Sequence, residues 1–146
     1  MDHSQRKAIE QECRDLVIAI TQHGDHKETE KAIALFAEDG TWLRAGKPYK
    51  GHAEIRSSYG RGSATQLTRH INGGTLVTVT DDSHAESVTY YVAMHHDPKS
   101  ADAKLPFPFD PPFSMGEWHD KFVKTPSGWK FASRETKRLF ERQGGH

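Results

Sequence analysis

The sequence predicts an α+β domain, in which helices come first and a run of antiparallel strands follows. The first observation is an apolar stripe at helical spacing, formed by Ile9, Cys13, Leu16, Val17 and Ile20. The second is a change of period from Thr68 onwards, where β-branched and aromatic residues recur with strand spacing. Helices that are separated from an antiparallel sheet along the chain pack on one of its faces, so we expect helices covering a curved sheet. Such a sheet leaves a conical cavity of the kind that binds small molecules.

The N-terminal half is predicted to contain two more helices and a short hairpin. The first helix ends within residues 21–26, where Gly24 is a stop signal. A shorter helix then carries an inner side of Ala32, Ile33, Leu35 and Phe36. The remaining predicted segments are a turn at 38–40, a strand at 41–43, a turn at 46–51 with a hairpin return through Tyr49, and a helix at 53–59.

The C-terminal half is predicted to be almost entirely strand. The predicted strands are 68–81, 85–96, 114–124 and 129–139, with a hairpin turn at 126–128 and a frayed tail at 141–146. Residues 97–113 hold five of the seven prolines, which excludes a regular central element and predicts a long loop at a pocket rim. No repeat or linker interrupts the pattern, so residues 1–146 are interpreted as one domain.

Composition excludes several classes of function. Twenty basic residues balance twenty acidic ones, so we expect no nucleic-acid partner and no attachment to an anionic membrane surface. No apolar run approaches the ~20 residues of a membrane span, and the first residues carry no secretory signal pattern. The lone Cys13 excludes an internal disulfide and fits a reducing compartment, so we expect a cytoplasmic protein.

Two residues far apart in the chain carry the chemistry that the sequence suggests. His70 is a candidate general base because imidazole titrates at about pH 6.5. Asp25 is a candidate partner because a carboxylate on one ring nitrogen fixes the tautomer and stabilises the imidazolium. Each residue also has a structural interpretation. Asp25 and Glu28 have the spacing of a helix capping box, and His70 could be a strand histidine bonded to backbone.

Further polar candidates lie on the later strands. His95 and His96 are adjacent, so a strand points them to opposite faces, and His95 shares its face with Tyr91. Arg134 is either a pocket cation or the partner of Asp120 in a salt bridge. A set of aromatic residues forms core or pocket wall, namely Trp42, Tyr59, Tyr91, Phe113 and Trp118. The ten histidines include no strong zinc signature, so no metal site is predicted.

Four segments, taken in order, resemble one known family. They are Gly24-Asp25 followed by residues 34–42, then 69–72, then 118–122, and finally 128–134. Their order and spacing resemble the cone-shaped fold of the nuclear transport factor 2-like superfamily. Within it, the chain looks like the SnoaL-like branch, which includes scytalone dehydratase, bile acid 7α-dehydratase and a hexachlorocyclohexane dehydrochlorinase. The resemblance covers nearly the whole chain and implies N-terminal helices on a curved antiparallel sheet.

The resemblance also implies roles for individual residues. The lyase members pair an Asp at the end of the first helix with a His that opens a central strand, which makes Asp25 and His70 the catalytic dyad. His95 or His96 falls where a second pocket His stands, Asn72 lies in the segment after the first His, and Arg134 matches an Arg on the last strand. The chain departs from the family where Gly24 replaces a Tyr. By position, Gly116 and Trp118 replace a Ser and an Asn of the scytalone site.

The implied activity is a cofactor-independent elimination. The substrate would be a small hydrophobic molecule of aromatic, polycyclic or steroid-like structure, and no metal or cofactor would be required. An isomerase would use the same proton shuttle. A non-catalytic alternative is a binding or assembly subunit like the small subunits of ring-hydroxylating dioxygenases. We also expect a homo-oligomer, a dimer or trimer, because the open sheet face of this fold usually pairs with another copy.

Overall fold

The computed structural model describes residues 1–109 and 113–143. In these residues the elements are α1 (His3–Asp25), α2 (Thr29–Ile33), β1 (Phe36–Arg44), β2 (Lys47–Lys50), α3 (Gly51–Tyr59), β3 (Leu67–Val79), β4 (His84–His96), β5 (Ser114–Thr125) and β6 (Gly128–Glu141). The predicted order of helices before strands is confirmed. Parts of the predicted loop 97–113 and tail 141–146 lie outside the described residues.

Helix α1 begins at a capping box and ends at the candidate carboxylate. The side chain of Asp2 accepts a hydrogen bond from the Gln5 backbone N–H, and the Gln5 side chain accepts one from the Asp2 N–H. The helix continues past Thr21, whose hydroxyl donates to the Val17 carbonyl oxygen. The capping box considered for Asp25 does not form, because α2 begins after Glu28 with no side-chain cap.

The sheet has six strands in the order β2-β1-β6-β5-β4-β3. All pairs are antiparallel except β1 and β6, which run parallel, so the sheet is mixed rather than wholly antiparallel as predicted. Strand β1 begins at Phe36, which the sequence placed in the second helix. The register of β1 on β6 shifts between Phe36 and Thr41, so the predicted turn at 38–40 is an irregular part of the strand.

Gly40 allows this irregularity. A Cβ atom at Gly40 would lie 2.9 Å from the Ala37 carbonyl oxygen and 3.1 Å from the Phe131 carbonyl oxygen. A larger residue would therefore separate β1 from β6 at this point.

The main core fills the space between the helices and one face of the sheet. Its fully buried members include Cys13, Val17, Phe36, Phe122 and Phe131. Burial raises the pKa of the Cys13 thiol to about 12, so this cysteine is a packing residue rather than a reactive one. Among the described residues, no helix combines the length and apolar character that crossing a bilayer requires.

Strand register brings the candidate residues onto one face of the sheet. Directly paired residues project to the same side, and here the pairs are His70 with Ala93, Tyr91 with Gly116, Trp118 with Thr136, and Trp42 with Arg134. This is the face that α1 and α3 cover, and we call it the inner face. The candidates from five strands therefore converge although they lie far apart in sequence.

Candidate active site

The carboxylate of Asp25 holds His70 by two hydrogen bonds. Its Oδ2 accepts the backbone N–H of His70 at 2.7 Å, and its Oδ1 lies 2.6 Å from the ring Nδ1. A carboxylate at the C-terminal end of a helix faces the negative end of the helix dipole, which is unfavourable. The side chain is also only 6% exposed. The bonds to His70 offset both costs, so the position of Asp25 depends on its partner.

The contact with Asp25 determines which nitrogen of His70 can act. Because an ionised carboxylate only accepts hydrogen bonds, the neutral ring carries its proton on Nδ1 and leaves a lone pair on Nε2. Among the described residues, Nε2 has no hydrogen-bond partner. The side chain is 26% exposed. The base atom is therefore oriented from behind and reachable from solvent.

Arg69 strengthens this junction, although the sequence analysis did not identify it. Its guanidinium donates to the Asp25 carbonyl oxygen at 3.2 Å and to the Thr68 carbonyl oxygen at 2.7 Å. A cation that binds the last carbonyl oxygens of a helix stabilises the C-terminal end of that helix. The sequence offered one indication of this contact, namely a basic residue immediately before the candidate base.

Two stacked rings form a flat wall beside His70. The rings of Tyr91 and Trp118 are 4.6 Å apart between centroids, at an interplanar angle of 13°. The His70 ring lies 5.4 Å from Trp118 and 5.9 Å from Tyr91. Both rings are buried, with Tyr91 3% and Trp118 4% exposed, so they form an apolar support for the imidazole.

Arg134 is bound to Asp120 rather than left open. Its Nε and Nη2 donate to the two carboxylate oxygens at 2.7 and 2.9 Å, and both side chains are buried. The guanidinium carbon also lies 4.3 Å from the centroid of Trp118. Arg134 is therefore the partner of Asp120 in a salt bridge rather than an unpaired pocket cation. The pair packs against the Trp118 ring.

Asn72 lies two residues from His70 on the same face and is paired in register with Tyr91. Its side-chain nitrogen donates to the hydroxyl of Thr21 on α1 at 3.2 Å. Its Oδ1 is buried and has no partner among the described residues. Asn72 therefore connects α1 to β3 by one hydrogen bond, while its Oδ1 acceptor remains unsatisfied in the described part of the chain.

His95 also lies on the inner face, diagonally across the β3–β4 pair from His70. Its ring is 4.2 Å from that of Phe113. Burial lowers the pKa of His95, and the positive charges of Arg142 and Arg138 and the nearby His70 lower it further. His96, on the opposite face, contacts the ring of Phe107 at 5.2 Å.

Trp42 on β1 and Tyr59 on α3 lie toward the opposite edge of the sheet from His70. The indole nitrogen of Trp42 donates to the Thr136 hydroxyl at 3.0 Å, and the two aromatic rings lie 5.4 Å apart. The guanidinium carbon of Arg44 lies over the indole ring, 4.5 Å from its centroid. The structure thus brings all ten predicted site residues to one face of the sheet.

Comparison with known proteins identifies the family. The family model of the SnoaL-like domain matches residues 5–135. The chain belongs to the SnoaL-like family. The match confirms that the SnoaL-like protein belongs to the family that its sequence resembles, and it confirms the predicted cone-shaped fold. No curated protein matches it in sequence.

Solved structures agree on the fold of the SnoaL-like protein. A putative scytalone dehydratase from Novosphingobium aromaticivorans is 18% identical with a TM-score of 0.82, and the match covers 99% of this chain and 93% of that one. A hexachlorocyclohexane dehydrochlorinase is 12% identical with a TM-score of 0.79, covering 99% and 96%. A protein of unknown function from Mycobacterium tuberculosis is 18% identical with a TM-score of 0.78, covering 95% and 77%. At these identities the likeness is one of fold.

The structure explains one departure of this SnoaL-like protein from its family. A Cβ atom on Gly116 would collide with the Lys137 carbonyl oxygen and lie 2.9 Å from the Tyr91 hydroxyl. Glycine is therefore required at this position, where the family resemblance implies a serine. Close approach of β6 and the placement of Tyr91 exclude any side chain here.

Two described cavities of the SnoaL-like protein lie away from the dyad. One, of about 440 Å³, is a groove whose lining includes Leu43, Leu76, Val88 and His119, which point away from the helices. The other, of about 310 Å³, lies between α1 and Trp129. Neither is lined by Asp25 or His70, because aromatic rings occupy the inner face beside the dyad. In residues 1–109 and 113–143, no three His, Cys, Asp or Glu side chains come together as metal ligands would.

Proposed function

We propose that this chain is a cofactor-independent lyase in which Asp25 orients His70 and His70 moves the proton. The observation that carries the proposal is the pair of hydrogen bonds between the Asp25 carboxylate and His70, together with an Nε2 that points away from the carboxylate. Positioned proton transfer of this kind accelerates reactions roughly 10²–10⁴-fold. The fold likeness to a putative scytalone dehydratase and to a dehydrochlorinase supports an elimination.

The proposed reaction is loss of water or halide from a carbon next to an acidified C–H group. His70 Nε2 takes the proton from the carbon beside a carbonyl, and the C–H electrons form the double bond as the leaving group departs. A departing hydroxide then takes the proton back from the imidazolium and leaves as water. A departing halide leaves as the anion, and the imidazolium then releases its proton to solvent water. The dyad returns to its starting state, and the reaction consumes no other reagent.

The proposed substrate is a small, flat and hydrophobic molecule with one carbonyl group. The rings of Tyr91 and Trp118 support this class, since they give the base an apolar, aromatic environment. The pairing of Arg134 with Asp120 argues against a strongly anionic substrate, because that guanidinium is already neutralised.

A panel of aromatic and bicyclic β-hydroxy ketones tests the proposal by mass spectrometry. Formation of the unsaturated ketone by the wild type, and its loss in His70→Gln, would support the lyase. A product of unchanged mass with deuterium taken up from heavy water would instead indicate an isomerase. Binding of these compounds without any change in them would support the non-catalytic subunit and contradict the proposal.

A further inference from the structure

The phenol of Tyr59 reaches the site from α3 through a gap that Gly24 leaves. A Cβ atom on Gly24 would lie 3.5 Å from Cε1 and 3.9 Å from the hydroxyl oxygen of Tyr59. The hydroxyl end of the ring therefore packs against the residue that directly precedes Asp25. A branched side chain at residue 24 would displace it.

A closed circuit of contacts connects Tyr59 to His70. Tyr59 packs against Trp42 at 5.4 Å, and Trp42 is the register partner of Arg134. Arg134 covers Trp118 at 4.3 Å, and Trp118 lies 5.4 Å from His70. His70 is bonded to Asp25, which follows Gly24 and closes the circuit. Tyr59 and His70 are thus two polar groups at the border of the same cluster of aromatic rings.

The Tyr59 hydroxyl is available to a ligand. It makes no hydrogen bond with any residue in the described part of the chain. The buried side-chain atoms without a partner there are Asn72 Oδ1 and Ser87 Oγ, so the Tyr59 oxygen keeps access to solvent. A largely buried tyrosine usually finds a partner for its hydroxyl.

The surroundings of Tyr59 keep the hydroxyl protonated. Burial is the main cause that raises its pKa to about 12, with a smaller contribution from the Asp25 carboxylate, while Arg134 and Arg44 act in the opposite direction. At neutral pH the group is therefore a hydrogen-bond donor and not a base.

We propose that the Tyr59 hydroxyl donates a hydrogen bond to the carbonyl oxygen of the substrate, on the other side of the site from His70. This assignment rests on the proposed function. When His70 removes the proton beside the carbonyl, negative charge develops on the carbonyl oxygen, and a donor already aimed at that oxygen stabilises it. Tyr59 is then a catalytic residue that the chain supplies from α3.

The test uses 1-tetralone, a bicyclic ketone, as the probe. Its carbonyl stretching band, isolated by carbon-13 labelling, should shift to lower frequency on binding to the wild type. In Tyr59→Phe that shift should disappear, and titration calorimetry should show affinity reduced about tenfold, as expected for one hydrogen bond. Tyr49→Phe is the matched control, since Tyr49 is buried in the core and should leave the band unchanged.

A second variant keeps the test independent of the Tyr59 substitution itself. Gly24→Val should displace the phenol from its position beside Asp25 and remove the same band shift. Gly24→Ala adds a Cβ at an ordinary contact distance and should preserve it. Both residues favour a helix more than glycine does, so α1 should stay intact.

The outcomes separate this inference from the proposed function. An unshifted band in Tyr59→Phe, with turnover reduced in Tyr59→Phe as well as in His70→Gln, supports both. A band shift retained in Tyr59→Phe overturns the role of Tyr59 and leaves the dyad untouched. No binding of 1-tetralone to the wild type also overturns it. A lost band shift without turnover of any substrate supports the donor and contradicts the lyase.

Discussion

The guanidinium of Arg134 lies 4.3 Å from the centroid of the Trp118 ring while its Nε and Nη2 both donate to Asp120. A buried salt bridge thus packs against the stacked rings of Trp118 and Tyr91. Burying two charges is costly, and the geometry compensates because both bonds of the fork are made. Removing one partner should therefore be far worse than replacing both.

Asp120→Asn should destabilise the protein by about 3–5 kcal/mol, because a buried cation loses its counter-charge. The double variant Asp120→Leu with Arg134→Met should recover most of that loss, since two apolar side chains need no partner. Urea unfolding followed by circular dichroism measures the free energies. If the double variant is the less stable of the two, the salt bridge contributes more than its desolvation costs, contrary to this expectation.

Asp25→Asn should reduce turnover roughly 10²–10⁴-fold while the fold is kept. The amide can still accept the His70 backbone N–H, but its NH₂ group opposes the Nδ1 proton and favours the wrong tautomer. His70→Ala should reduce turnover at least as much. Asp15→Asn, on the exposed side of α1, is the control and should change nothing. Turnover close to the wild type in Asp25→Asn would rule out the dyad.

Gly116→Ala should destabilise the protein by about 1–3 kcal/mol, because the added methyl group collides with β6 and the Tyr91 hydroxyl. Gly73→Ala is the control in the same sheet. Its Cβ would lie 3.4 Å from the Tyr90 Cβ, an ordinary contact. Thermal unfolding compares the two variants, and equal melting temperatures would show that β6 moves aside without cost.

The lowered pKa of His95 predicts a loss of stability in mild acid. As the pH falls below the ordinary histidine pKa of about 6.5, the unfolded chain binds a proton at this position that the folded chain resists. Unfolding is therefore increasingly favoured until the pH passes the folded-state pKa. His95→Gln should lose less melting temperature than the wild type over this range. His3→Gln, at the exposed start of α1, should follow the wild type.

We propose that the outer face of the sheet pairs with a second copy of the chain. A row of apolar residues crosses four strands in register, formed by Ile71, Val92, Met115 and Phe140. Oppositely charged pairs flank the row, namely Glu117 with Lys137 and Glu86 with Lys121. A surface that carries both signs in register can complement itself.

Met115→Glu should convert such an oligomer to a monomer in size-exclusion chromatography with light scattering. Lys124→Glu, an exposed change on the same strand outside the row, should leave it intact. A monomeric wild type would contradict the proposed pairing.

Much of the fold could be predicted because helical and strand periods depend on local sequence. The parallel pairing of β1 with β6 could not, since a strand pattern does not specify its partner. The strand character of residues 38–40 was hidden because Glu38-Asp39-Gly40 has the composition of a turn, and only the contact with Phe131 shows why glycine is needed.

At the site, the Asp25–His70 pairing followed from family resemblance, because residues 45 positions apart carry no local signal of contact. The role of Gly24 could not be predicted either. The sequence showed only a missing tyrosine, whereas the structure shows that another tyrosine, Tyr59, fills the space.

The two hydrogen bonds between Asp25 and His70 also affect the exposed edge of the sheet. Strand β3 is an edge strand, and the His70 N–H that binds Asp25 points away from β4. Exposed edge amides invite pairing with other chains, and a helix end that binds one of them blocks that route. The carboxylate therefore protects the sheet edge at His70 against strand addition. A variant made to silence the dyad should consequently be examined for aggregation as well as for turnover.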